Sequence, residues 1–288
     1  MSGKRIILYS NAERDINYKM AIHVAELLLE NGRQPVFCPM FFDQSLELIS
    51  HKYDYGKIEA ELKNAEMIIT FGGDGTILRA ARAAAQTGVP ILGINMGGKG
   101  FMAELETEDI GLLEKVICGE YRIENRMMLD AEISRSGKAI YRDFALNDVV
   151  VRGDNKVIDL VLLGDGEEIS RFSGDGAVIA TPTGSTAYSM AAGGPIVEEA
   201  ADNIIVTPIC AHELMAKSFV LVSERRVSVQ MGSKKHNPAH ISVDGSDYYR
   251  VLPGDIIYIN KSEKYTRLVR LSNRSFYKKV SEKLGERA

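Results

Sequence analysis

The sequence predicts an α/β fold joined to a β-rich one. We expect an N-terminal Rossmann-like parallel sheet with helices on both faces, a C-terminal mainly antiparallel β domain, and a C-terminal helix returning to the N-terminal domain. Three observations carry this. Over roughly the first 120 residues, short apolar runs alternate with segments of helical period, the pattern of a parallel sheet and its covering helices. After about Tyr121 the runs become short, β-rich and separated by turn residues. The closing segment, SFYKKVSEKLGERA, turns helical again and matches the first half better than the second. The expected domains are residues 1–121 plus about 271–288, and residues 122–270.

In chain order, KRIILYS predicts a strand. A helix follows, with Tyr18, Ala21, Ile22, Ala25, Leu28 and Leu29 on one face and Gly32 as its C-terminal stop. QPVFC and MIITF predict the next two strands, the latter running directly into GGDGT. ILRAARAAAQTG predicts a helix, PILGIN a strand, and ETEDIGLLEKVICG a helix that opens with acids, which suit its positive N-terminal end. In the second half MLDAEIS, KAIYRDFALNDVVVR, KVIDLVLL, GAVIA, SFVLV, RVSVQM, HISVDG and DIIYIN predict strands.

Composition narrows the function. The chain has 288 residues, a length for two domains, with 45% hydrophobic and 26% charged residues. Its net charge of −4, with acids and bases interleaved, argues against nucleic-acid binding by phosphate neutralisation. No apolar run approaches the ~18 residues of a membrane span, and the N-terminal apolar run is too short for a secretory signal. Cys38, Cys118 and Cys210 lie far apart without metal-ligand spacing, as idle thiols in a reducing cytoplasm would. His23, His51, His236 and His240 sit in contexts that predict ordinary surface or partly buried histidines.

GGDGT lies between a strand and a helix, at the carboxyl edge where open parallel sheets bind ligands. It lacks both the dinucleotide glycine spacing and the lysine of a phosphate-gripping P-loop. Gly72, Gly73 and Gly75 let backbone N–H groups approach a polyphosphate at the helix start. Asp74 among them needs its own job: helping to hold Mg²⁺, or accepting a proton from an attacking hydroxyl. The structural alternative is that Asp74 or Thr76 caps the helix. A second loop, NMGGKGF, follows the next strand at the same edge, with Lys99 as a phosphate partner or a solvated side chain. In the β half, within SGDGAVIATPTGSTAYSMAAGGPI, the stretch TPTGSTAYS offers five hydroxyl residues and Tyr188 without charge, a surface suited to a heterocycle and a sugar.

GGDGT together with TPTGSTAY and the following GGP resembles the NAD kinase family. GGDGT alone is shared with diacylglycerol kinases, sphingosine kinases and, more loosely, phosphofructokinases, whereas TPTGSTAY is far more specific. The resemblance extends to NMGGKGF, ALNDVVV, PICAH, SVDG and the closing SFYKKVSEKL. It implies transfer of the ATP γ-phosphoryl group to the 2′-hydroxyl of the adenosine ribose of NAD, with Mg²⁺ as cofactor. It implies Asp74 as catalytic base, and Gly72, Gly73, Gly75 and Thr76 around the phosphates. Asn147 and Asp148 would hold the NAD ribose or adenine, and Asp175 the nicotinamide end, completed by a neighbouring subunit of a homodimer or homotetramer. Thr183, Thr186, Ala187 and Tyr188 would line the adenosine pocket, and His212 matches a family histidine. Asp148 stands where Glu is also common, Ala191 where Ser is frequent, Ala211 for a proline and Lys217 for an arginine. Two other readings share parts of the pattern. A lipid kinase would need an apolar acyl pocket, and a nucleotide sensor would leave Asp74 without a purpose.

Overall fold

The structure is a computed structural model and describes residues 5–41, 47–98, 100–232, 237–272 and 275–285. The chain divides into two compact units, Met1–Asn125 with Thr266–Ala288, and Arg126–Tyr265.

The first unit is built on a parallel sheet. Strand β1 (Arg5–Ser10) leads through a short 3₁₀ turn into helix α1 (Lys19–Glu30), then β2 (Gln34–Phe37). Three short elements, α2 (Glu47–Ser50), β3 (Asp54–Tyr55) and α3 (Ile58–Glu61), precede β4 (Ala65–Gly72), helix α4 (Asp74–Ala84) and β5 (Ile91–Asn95). The strands lie in the order β3-β2-β1-β4-β5, all pairs parallel. Each interior strand is a run of buried apolar residues, as burial on both faces demands. Helix α1 buries Ala21, Val24, Ala25 and Leu28, and Tyr18 just before it. Leu29, expected on that face, is exposed. Successive residues advance by about 100°, so Leu29 falls off one flank of the stripe through Ala21, Ala25 and Leu28, while Val24 lies on its other flank and is buried. The acid-led segment after β6 (Leu105–Glu106) begins as a 3₁₀ helix and becomes α only at α5 (Leu113–Cys118), closed by left-handed Gly119.

The second unit is a sandwich of two antiparallel sheets. The chain enters along β7 (Arg122–Arg135) and turns back in β8 (Lys138–Ala145) before β9 (Asp148–Gly153). The run KAIYRDFALNDVVVR thus breaks at Leu146–Asn147. The carboxylate of Asp244, 97 residues from Asn147, accepts the amide N–H groups of Leu146, Asn147 and Asp148 and draws the backbone out of line. One sheet contains β10 (Ile158–Gly164) and β11 (Glu167–Gly174). The other is built around β12 (Gly176–Ala180), which a short 3₁₀ turn, Thr183–Thr186, and helix α6 (Tyr188–Ala191) follow. Strands β13 (Asn203–Ile209) and β14 (Phe219–Val222) continue that sheet, and β15 (Val227–Met231) returns to β10. Strands β16 (Ala239–Val243) and β17 (Tyr249–Val251) complete the six-stranded order β14-β13-β12-β9-β16-β17. Inward residues of both sheets, among them Val149, Val151, Leu160, Leu162, Ile179 and Val206, form one apolar core.

Strand β18 (Ile256–Arg270) pairs with β15 early and meets β5 at Leu268 late, returning the chain to the first unit. Helix α7 (Phe276–Gly285) ends the described residues there, with Lys283 bonded to Glu106. No described helix is long and apolar enough to cross a membrane.

Candidate active site

The first constellation lies where β4 ends. Gly73 is the N-cap of α4 with extended backbone, and no side chain caps the helix. Asp74, the first helical residue, therefore does not serve as the cap. Its carboxylate instead reaches the second glycine loop, where Oδ2 accepts Phe101 N–H at 2.8 Å and Oδ1 accepts Met102 N–H at 3.0 Å. A Cβ on Gly100 would stand 2.9 Å from Asp74 Oδ1, so the loop closes on the carboxylate only without a side chain.

The three glycines of GGDGT differ in what requires them. A Cβ at Gly72 would fall 2.2 Å from Thr76 Oγ1, and Thr76 is buried, so packing demands that glycine. Gly73 and Gly75 have open space where a Cβ would be and no positive φ. Nothing in the fold asks for glycine there. Bare backbone at the start of a helix, where amide N–H groups have no intrahelical partner, suits an approaching phosphate.

The C-terminal segment braces the second loop. Arg270 Nη1 donates to Met102 O at 3.0 Å, and Lys279 Nζ donates to Phe101 O. Buried Glu104 accepts from Leu271 N, Ser272 N and Ser272 Oγ, each at 2.9 Å. Asn95 Nδ2 donates to Gly98 O and Glu106 Oε2, and its buried Oδ1 has no hydrogen-bond partner among the described residues. Lys99 and His236 lie outside the described residues.

The second constellation is within the β unit. Thr181 Oγ1 donates to Leu146 O at 2.6 Å and accepts Gly184 N–H at 3.1 Å, while Thr181 N–H donates to Asn147 O. The turn after β12 is thereby stitched onto the Asn147 backbone. Thr186 Oγ1 donates to Thr183 O, and Thr183 Oγ1 accepts from Arg126, a fully buried guanidinium that also pairs with Glu199. The hydroxyls that the sequence offered as a ligand surface are largely consumed in building this turn. A Cβ on Gly184 would lie 2.1 Å from Asn147 O. Gly184→Ala should lower unfolding stability by about 2 kcal/mol, as overpacking does, by pressing on the Asn147 backbone. Thermal denaturation matching the parent protein would contradict that packing.

Beside the turn lies a pocket of about 290 Å³ that gathers Asn147, Asp148, Ala187 and Tyr188. Asp148 is 6% exposed, and its carboxylate makes no hydrogen bond among the described residues. Burial, and secondarily the charge of Asp244, pushes its pKa up to about 7. The pocket also includes Arg152, His240, Asp244 and Tyr248, which the sequence reading did not assign. His240, expected to be an ordinary histidine, faces the pocket with Nδ1 2.6 Å from Asp154 Oδ1. The signal for Asp244 was present in SVDG, whereas Arg152 and His240 come together only through the β9–β16 register. Asp175 and His212 do not line this pocket. Both attach by backbone bonds near the ends of β11 and β13, Asp175 N–H to Ile209 O and His212 N–H to Ser173 O.

Known proteins match the chain across both units. The ATP-NAD kinase N-terminal domain model matches residues 6–121, and the C-terminal domain model matches residues 146–271. An NAD kinase of Ruminiclostridium cellulolyticum is 34% identical over 99% of both chains, and one of Thermoanaerobacter sp. (strain X514) is 36% identical over 99% of this chain and 100% of its own. The chain belongs to the NAD kinase family.

Solved structures agree in fold. Yeast NADH kinase complexed with NADH superposes with a TM-score of 0.87 at 23% identity, covering 100% of this chain and 89% of that one. An NAD kinase from Archaeoglobus fulgidus in complex with ATP gives 0.74 at 26% identity, covering 99% and 100%. Of the two NAD kinase domain models, the N-terminal one spans both glycine loops and the C-terminal one spans the whole turn and pocket. Family membership removes the lipid kinase and the non-catalytic sensor as readings, and makes the chain an NAD kinase enzyme by descent.

Proposed function

We propose that this NAD kinase transfers the γ-phosphoryl group of ATP to the 2′-hydroxyl of the adenosine ribose of NAD, with Asp74 as general base. The observation that supports this reading most is the Asp74 carboxylate, held between two glycine loops by two backbone amides beside the bare backbone of Gly73 and Gly75. Phosphoryl transfer needs positioning and charge neutralisation more than covalent help. The open glycines and the first turn of α4 supply donors for the phosphates. A ribose hydroxyl is a weak nucleophile, and a fixed carboxylate takes its proton as the new P–O bond forms. The two amides hold Asp74 in one orientation for that task.

Magnesium fits the oxygen donors present in the first unit. The Asp74 carboxylate and the buried Oδ1 of Asn95, which has no partner among the described residues, are hard ligands of the kind it takes. Bound with ATP, it offsets the charge that gathers on the phosphates. On the acceptor side, Asp148 offers a buried carboxylate without a protein partner, suited to the hydroxyls of a ribose, and Tyr188 offers an aromatic wall for a base. Gly72 and Thr76 build the phosphate loop from behind. Thr183 and Thr186 act through the turn they hold, and Ala187 lines the pocket directly.

We read the protein as a homodimer or homotetramer, and its exposed apolar side chains support that reading. Leu214, Met215, Val220 and Val222 are all exposed in the second unit, apolar side chains that a neighbouring copy would cover. In such an assembly Asp175 and His212, away from the pocket, would contribute to a site shared with a neighbouring copy. Free thiols at Cys118 and Cys210, both exposed, fit a reducing cytoplasm. The deciding assay supplies purified protein with ATP, Mg²⁺ and NAD and detects NADP with an NADP-specific dehydrogenase. NADP formation is the expected result. Its absence with well-folded protein would overturn the reading.

A further inference from the structure

The pocket beside Tyr188 has two chemically different ends. On the outward face of the sheet, residues 148, 150 and 152 of β9 alternate with the core residues Val149 and Val151. Strand β16 answers them residue for residue, with Ser242 opposite Val150 and His240 opposite Arg152. Asp244 then closes the ladder, donating its N–H to Asp148 O. One end is therefore a pair of carboxylates and the other a guanidinium with an imidazole. Four residues of antiparallel strand separate them, a span of about 13 Å along the chain.

The basic end is built rather than incidental. His240 is held from two sides: Nδ1 meets Asp154 Oδ1 at 2.6 Å, and the Tyr248 ring packs on it with centroids 4.2 Å apart. Asp154 is thereby engaged by His240 and not by Arg152. Arg152 lines the pocket, and its guanidinium makes no hydrogen bond or ion pair among the described residues. A guanidinium facing a pocket without a counter-charge presents a planar fork that matches two oxygens of a phosphate. Nε2 of His240, the nitrogen that Asp154 does not engage, adds a second donor from the facing strand in the doubly protonated ring, where Nδ1–H donates to Asp154.

We propose that Arg152 and His240 form an anion subsite that binds a phosphate group of the dinucleotide at the end of the pocket opposite Asp148. The inference rests on reading this pocket as the dinucleotide site. A dinucleotide alternates hydroxyl-bearing sugars with phosphates, so a ligand whose ribose meets the carboxylate end carries a phosphate toward the basic one. Two phosphates qualify: the pyrophosphate bridge, present in NAD and NADP, and the 2′-phosphate, present only in NADP.

The test measures Kd for NAD and for NADP by calorimetry at low and high salt, in the full-length protein and in Arg152→Gln, Arg152→Lys, His240→Gln and Asp148→Asn. Arg152 is exposed, so its substitution leaves the fold intact. Arg152→Gln should raise Kd about tenfold, the worth of a charge-assisted hydrogen bond. Arg152→Lys should recover part of the loss, and His240→Gln should weaken the same ligands. The loss should shrink at high salt, because screening weakens an exposed charge in the parent protein. An equal rise for NAD and NADP assigns the pyrophosphate, and a rise for NADP alone assigns the 2′-phosphate. Unchanged binding of both ligands in Arg152→Gln overturns the subsite. So does an equal, salt-independent loss in the Gln and Lys variants, which would mean that shape and not charge matters. Asp148→Asn separates the two levels. If it weakens binding while Arg152→Gln does not, only the subsite fails, and if neither does, the pocket is not the dinucleotide site.

Discussion

Asp74→Asn lowers kcat by about 10²–10⁴-fold, the usual contribution of a positioned general base, while KM for NAD changes little. The structure adds a complication that a bare motif would hide. Asp74 also accepts the amides of Phe101 and Met102, and an asparagine presents an NH₂ group to one of them. The variant therefore loses a base and loosens a loop together. Gly100→Ala isolates the second effect. Its Cβ would stand 2.9 Å from Asp74 Oδ1, so it displaces the loop while keeping the carboxylate. Steady-state kinetics on both variants should show a much deeper loss of kcat in Asp74→Asn. Equal losses would mean that the carboxylate serves only to hold the loop.

Asp148→Asn should make the protein more stable at pH 8 and a weaker binder of NAD. Burial and the nearby Asp244 charge lift the Asp148 pKa to about 7, against 3.8 for the free side chain. Between those values the folded state binds a proton that the unfolded chain does not. Its contribution to stability is fully present below about pH 4 and is lost as pH rises through about 7. Above pH 7 the buried charge stands against folding by up to about 4 kcal/mol. The asparagine variant never carries that charge, so its advantage in denaturant unfolding should be large at pH 8 and vanish near pH 4. On the proposed function, a ligand hydroxyl would satisfy that carboxylate. Equal stability of variant and parent at pH 8 would show that Asp148 is not buried as a charge, and unaltered NAD affinity would remove it from the site.

Much of the fold was legible because it is written in local patterns. The parallel strands read as apolar runs before glycine loops, and the β-rich half as short runs between turns. What sequence reading missed depended on partners far along the chain. The sequence patterns do not predict β11, which is mixed in polarity, or β17, which is only three residues, and they pass over β13, NIIVTPI, a buried apolar run with a proline near its end. The break between β8 and β9 was invisible because its cause, Asp244, lies 97 residues from Asn147. The hydroxyls of TPTGSTAY were read as a ligand surface, yet most of them satisfy the turn itself. A buried hydroxyl must find a partner, and in a tight turn the backbone is the nearest one.

By itself the sequence determined the family, the reaction class and the residue expected to act as base, because glycine spacing and a carboxylate within it constrain chemistry locally. Only the tertiary structure decided what those residues touch. It showed that Asp74 spans two loops rather than capping its helix, that Gly73 and Gly75 are bare for no internal reason, and that a C-terminal segment braces the second loop. It also set Arg152 against His240, residues whose meeting is specified by the register of two strands nearly ninety residues apart. Register and burial are properties of the whole packed chain, since a cross-strand pair exists only once both strands have found the same core.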